Sequence, residues 1–154
     1  MSQDISAQVG AILAAHTHRE GPLLPVLHDI QAEFGFVPQS ALPQIATALN
    51  ISKAEVHGVV SFYHDFRSEP AGAHVIKLCL AEACQAVGAD RIADLAKAAL
   101  GVDWHGTTAN GRATLEPVFC LGLCACGPAA MVDGTLIGRV DEARLDALVA
   151  KVTA

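Results

Sequence analysis

Four of the five cysteines fall in two close pairs, Cys79-Leu-Ala-Glu-Ala-Cys84 and Cys120-Leu-Gly-Leu-Cys124, spaced C-x4-C-x35-C-x3-C. Each pair follows a run that reads as a β-strand, His74–Leu80 before the first and Thr114–Phe119 before the second. Parallel strands need a crossover of a dozen or more residues, and the intervening segment supplies one. Ile92, Leu95, Ala96, Ala99 and Leu100 form a helical stripe within it. With the strands parallel, both cysteine pairs emerge at the same edge of one sheet. Downstream, Asp133-Gly134 between Met131-Val132 and Thr135-Leu136 is a hairpin signal. Leu145, Leu148, Val149 and Val152 then share a last helical face. The order strand, helix, strand, hairpin, helix specifies an α/β sandwich. Pro117 lacks an N–H to pair, which puts the second strand at a sheet edge or marks an early end of its pairing.

The first 70 residues read differently. Ile5, Val9, Ile12 and Leu13 lie on one helical face, as do Leu23, Leu27, Ile30 and Phe34. Gly35 and Pro38 break the pattern, and Ser40 is placed to cap a helix carrying Leu42, Ile45, Ala46 and Leu49. Ser52-x-x-Glu55 is a capping-box signature opening a helix with Val56, Val59, Val60 and Tyr63 inward. Pro70-Ala71-Gly72 marks the boundary. The expected organisation is a four-helix region at 1–70 and a cysteine-bearing α/β domain at 71–154.

Four thiolates presented by two short loops around one point are the donor set of an iron–sulfur cluster. Gly122, Ala125 and Gly127 are small enough for backbone N–H groups to approach the sulfurs. Neither loop contains Lys or Arg, so backbone dipoles must offset the negative charge. Buried unligated cysteine is the plain alternative, and a structural zinc-bound assembly module is the stronger rival. A dithiol oxidoreductase wants C-x-x-C, and a Rieske centre wants histidine beside the cysteines; the loops have neither. Cys126 reads as a packing or supporting residue. The seven histidines are scattered, and no glycine run matches a dinucleotide or phosphate fingerprint.

Composition narrows the partners. A net charge of −6 without a basic block argues against nucleic acid and anionic membrane surfaces. The uncharged stretch Pro117–Val132 is too short to span a bilayer, so no membrane insertion is expected. MSQDISAQVG lacks a basic secretory n-region, and the clustered, odd-numbered cysteines suit a reducing compartment; the expected location is cytoplasmic. Hydrophobic residues at 52% and charged residues at 17% fit a chain that buries surface in a complex.

The cysteine pattern after a helical N-terminal region resembles the thioredoxin-like [2Fe-2S] ferredoxin family, which includes the 24 kDa subunit of respiratory complex I. Phe34-Gly35-Phe36-Val37-Pro38 and Val56-His57-Gly58-Val59-Val60-Ser61-Phe62-Tyr63 resemble the family's turn and helix motifs. By that resemblance Cys79, Cys84, Cys120 and Cys124 bind one [2Fe-2S] cluster. Leu24-Pro25-Val26-Leu27-His28-Asp29-Ile30-Gln31, Ala81-Glu82-Ala83-Cys84-Gln85 and Cys124-Ala125-Cys126-Gly127-Pro128-Ala129 look like the gamma-subunit branch of soluble molybdenum-containing, NAD-dependent formate dehydrogenases. The resemblance implies a non-catalytic electron-transfer subunit of an oxidoreductase. Its partners would be a flavin- and NADH-binding subunit carrying FMN and NAD, and a large catalytic subunit holding the molybdenum cofactor. The equivalent subunit of an NAD-reducing hydrogenase or of complex I is the alternative.

Overall fold

The computed structural model describes residues 2–153, which fall into two compact units that divide between Pro70 and Ala71. The first unit contains α1 (Ser2–Ala15), α2 (Leu23–Phe34), α3 (Leu42–Leu49) and α4 (Lys53–Phe62). Their apolar faces meet in a core of Val9, Val26, Leu27, Ile30, Leu42, Ile45 and Val56, all fully buried. Gly35 ends α2 at φ +79°, donating its N–H to the Gln31 carbonyl. That left-handed closure suits glycine because it has no Cβ to clash. At α4 the capping box is complete. The Glu55 N–H donates to Ser52 Oγ at 3.1 Å, and the Ser52 N–H to Glu55 Oε2 at 2.7 Å.

Two expectations fail in this unit. Ser40 does not cap α3; it lies inside a short 3-10 turn, Gln39–Ala41, and Ala41 precedes the helix without a side-chain cap. The turn takes up the backbone bonds that a serine cap would have supplied, with the Ala41 N–H donating to the Pro38 carbonyl. Tyr63 is not inward but 44% exposed, because α4 ends at Phe62 and Tyr63 adopts extended backbone, φ −86° and ψ 105°.

The second unit is a mixed α/β sandwich. β1 (His74–Cys79) pairs parallel with β2 (Ala113–Val118). Their connection contains a short helix, α5 (Glu82–Gln85), immediately after the first strand, and then α6 (Ala89–Leu100). β3 (Ala130–Val132) runs antiparallel to β1 and to β4 (Thr135–Ile137), giving the sheet order β2-β1-β3-β4. β2 is thus an edge strand, the first of the two places open to Pro117, and its pairing runs on through Pro117 to Val118. Asp133 at φ +48° and Gly134 at φ +82° form the tight turn between β3 and β4. α6 and α7 (Glu142–Thr153) pack against the sheet through Ile76, Leu78, Ala96, Leu115, Ala130, Val140, Leu145 and Val152. Among the described residues no helix is long and apolar enough to cross a membrane.

Candidate metal centre

Parallel pairing decides where the cysteines go. Cys79 is the last residue of β1 and stands opposite Val118, the last of β2. The Leu80 N–H donates to the Val118 carbonyl at 2.8 Å, so the ladder runs to the point where both chains leave the sheet. The first chain turns into α5, which carries Cys84. The second enters the loop with Cys120 and reaches Cys124 at the start of a 3-10 turn, Cys124–Cys126.

Cys79 and Cys84 are buried, at 3% and 2% exposure, whereas Cys120 and Cys124 are exposed. Cys120 Sγ and Cys124 Sγ lie 3.8 Å apart. Two thiolates on one tetrahedral metal, each at about 2.3 Å, stand about that far from each other. The Cys120 backbone sits at φ +123°, a sparsely populated region that costs a non-glycine residue on the order of 1–3 kcal/mol. That strain turns the chain sharply after β2 and returns its sulfur toward Cys124. Gly122, at φ +76°, donates its N–H to Cys120 Sγ at 3.4 Å.

The two loops converge on Cys79. Burial pushes its thiol up, but hydrogen bonds outweigh that and hold it below the ordinary thiol range. The donors are the Ala81 N–H, the Cys84 thiol, and the Leu121 and Cys120 N–H groups from the opposite loop. Burial raises the Cys84 thiol, as does its role as donor to Cys79, against an opposing Ala129 N–H. Cys124 is raised by its bond to Cys120 and by repulsion from the Cys120 and Cys79 sulfurs. All four sulfurs therefore share one electrostatic neighbourhood. Among the described residues no three His, Cys, Asp or Glu groups gather at single-ion distances. The sulfurs interact pairwise instead, 79 with 84 and 120 with 124.

Small residues let the loops close. A Cβ on Gly127 would stand 3.0 Å from Val87 Cγ2 and 3.4 Å from Cys84 Sγ, so glycine allows this backbone to lie against the α5 cysteine. Cys126 is half-buried, and its carbonyl accepts the Arg139 N–H at 2.6 Å, which ties it to the segment before α7. Reading the sequence alone missed α5 and the Ala129 and Leu121 N–H donors, for which no side-chain signal exists. Of the scattered histidines, His16 bonds Asp29 and His74 bonds Asp133, each at 2.7 Å, while His28 packs on Phe66. Phe119, beside Cys120, is 74% exposed, and Val87 is 55% exposed.

Comparison with known proteins agrees with this geometry. The profile of the thioredoxin-like [2Fe-2S] ferredoxins matches residues 9–153. The NADP-reducing hydrogenase subunit HndA of Solidesulfovibrio fructosivorans is 31% identical over 98% of this chain and 88% of its own length. A subunit of the NADH-quinone oxidoreductase of Pseudomonas aeruginosa is 36% identical over 80% of this chain and 76% of its own. Among solved structures, a chain of an NAD+-reducing [NiFe]-hydrogenase in the air-oxidized state superposes with a TM-score of 0.71 at 28% identity. The match covers 86% of this chain but only 23% of that one, so the chain corresponds to about a quarter of the hydrogenase polypeptide. Sequence match, cysteine spacing and sheet order lead to one conclusion: the chain belongs to the thioredoxin-like [2Fe-2S] ferredoxin family.

Proposed function

We propose that Cys79, Cys84, Cys120 and Cys124 hold one [2Fe-2S] cluster and that the chain is an electron-transfer subunit of an NAD-linked oxidoreductase. The observation that carries this is the parallel pairing of β1 and β2, which sets Cys79 opposite Val118 and brings both cysteine loops to one end of the sheet, with Cys120 Sγ and Cys124 Sγ 3.8 Å apart. Bound there, the cluster supplies reversible one-electron storage. The chain's own residues do the rest. N–H groups of Ala81, Leu121, Gly122 and Ala129 offset negative charge on sulfur, and the buried pair excludes water from one side. The exposed pair, Cys120 and Cys124, with Phe119 beside it, forms the edge through which electrons pass to a partner.

That partner is a flavin- and NADH-binding subunit carrying FMN, next to a large catalytic subunit, in a cytoplasmic complex. The sequence likeness in the 24–31, 81–85 and 124–129 segments supports a formate dehydrogenase with a molybdenum cofactor. The named relatives support the equivalent subunit of a hydrogenase or of an NADH-quinone oxidoreductase equally well. Identifying the large subunit that co-purifies, and whether it holds molybdenum or nickel, separates them.

The cluster itself is tested on anaerobically isolated full chain. Iron and acid-labile sulfide in equal amounts, with a rhombic electron-spin signal only after reduction, support it; a colourless chain with one zinc refutes it. Cys84→Ala and Cys120→Ala lose the visible spectrum, whereas Cys126→Ala keeps it. An unchanged spectrum in Cys120→Ala overturns the ligand set.

A further inference from the structure

We propose that Arg144 is a positioning residue for the second cysteine loop and, through that loop, sets the reduction potential of the cluster; this rests on the function proposed above. Arg144 lies early in α7, where its N–H donates to Asp141 Oδ1 at 2.9 Å. Its side chain turns back over the segment before the helix. Nη1 donates to the Gly138 carbonyl at 2.7 Å and reaches the Arg139 carbonyl at 3.5 Å.

That segment is the brace behind the loop. The Arg139 N–H donates to the Cys126 carbonyl at 2.6 Å, and the Val140 N–H to the Pro128 carbonyl at 2.9 Å. Gly138 lies flat on Cys126: a Cβ there would stand 2.9 Å from both the Cβ and the carbonyl oxygen of Cys126. Arg139 holds φ +52°, a left-handed conformation that is costly for a residue with a side chain. The Arg144 Nη1 group, shared between the successive Gly138 and Arg139 carbonyls, offsets that cost and fixes the brace. The path from Arg144 to Cys124 is therefore short. It runs through the 138–139 carbonyls and the Cys126 carbonyl into the 3-10 turn that begins at Cys124.

The sign of the effect follows. Reduction adds negative charge to the thiolate-bound centre, and N–H bonds to sulfur stabilise that charge. Loosening the turn weakens those bonds, which disfavours the reduced state.

The test uses full-length chain carrying Arg144→Gln or Arg144→Lys, loaded with iron and sulfide and titrated with reductant under electron-spin detection, with thermal unfolding alongside. At the wild-type midpoint the reduced-to-oxidised ratio in Arg144→Gln is expected to fall from one to about a third or lower, about 28 mV at 59 mV per tenfold for one electron. The rhombic signal shifts with it. Lysine keeps the charge and one donor, and restores part of the loss. Should Arg144→Gln fold but not retain the cluster while Arg144→Lys does, the positioning role is supported as well. A lowered melting temperature with unchanged potential and signal would mean that Arg144 only steadies the helix, and overturns the inference. A wild-type chain that takes up no cluster refutes the proposed function itself, and this inference with it.

Discussion

Gly138 offers a direct measure of how tightly the second cysteine loop is held. In Gly138→Ala the new Cβ meets Cys126 Cβ and the Cys126 carbonyl oxygen at 2.9 Å each. Neither obstacle is the free end of a flexible side chain. One is main chain, and that same oxygen is committed to the Arg139 N–H at 2.6 Å. Relief requires the two backbone segments to separate by a few tenths of an ångström, stretching that bond. Overpacking of this kind costs about 1–3 kcal/mol, and a weakened hydrogen bond belongs to the same range. We expect about 2 kcal/mol, which for a chain of this length lowers Tm by about 4–8 °C. Trp104, the chain's one tryptophan, packs against the core of this unit and reports its unfolding in urea. Cys126→Gly removes one of the two obstacles and leaves the other. In the double variant it recovers part of the loss, a coupling of about 0.5–1 kcal/mol. A Gly138→Ala chain with the wild-type urea midpoint, or strictly additive effects in the cycle, refutes the close contact.

Other expectations concern separate parts of the molecule. Ser52→Ala removes the acceptor for the Glu55 N–H and costs about 1 kcal/mol, measured by urea unfolding followed by helical circular dichroism. Burial opposes ionisation of Asp133, but bonds from His74 and the Val75 N–H outweigh it and hold its carboxyl below the usual range. A carboxylate lowered by folding stabilises the folded chain above its unfolded pKa, about 3.9, and that contribution disappears as pH falls further through the folded value. Between pH 6 and 3 the wild type should lose more stability than Asp133→Asn; equal losses would count against the bond. Phe119→Ala should leave the stability measured by urea unfolding within about 0.5 kcal/mol of wild type, since the ring is 74% exposed. It should weaken binding to the proposed flavin-bearing partner by about fivefold or more, the loss expected of an aromatic anchor, as read by titration of that isolated protein.

Where local chemistry determines structure, the sequence was readable. Ser52-x-x-Glu55 makes both reciprocal bonds, and Asp133-Gly134 turns between two strands. The strands expected at 74–80 and 114–119 form at His74–Cys79 and Ala113–Val118. Pro117 lies on the edge strand, where its missing N–H costs no ladder bond. Legibility ended where a neighbour distant in sequence decides. Ser40 is a suitable cap by residue type, yet the 3-10 turn from Pro38 satisfies the backbone first. Tyr63 fits the apolar period of α4, but the helix has already ended. The cysteines stood out as a donor set, whereas the backbone donors to their sulfurs come from residues as ordinary as Ala129 and Leu121. A main-chain N–H leaves no mark on residue identity. The brace at 138–140 is hidden for the same reason, with Gly138 its one compositional trace.

Because β1 and β2 are parallel and the α6 connection separates them, neither half of the donor set is a site alone. A nascent chain that has exposed only Cys79 and Cys84 offers two thiols and no cradle. The four-sulfur pocket first exists when β2 has docked alongside β1. On the proposed ligand set, iron and sulfide would be received by a folded domain, and their insertion would close a lock across the crossover that the polypeptide has already tied.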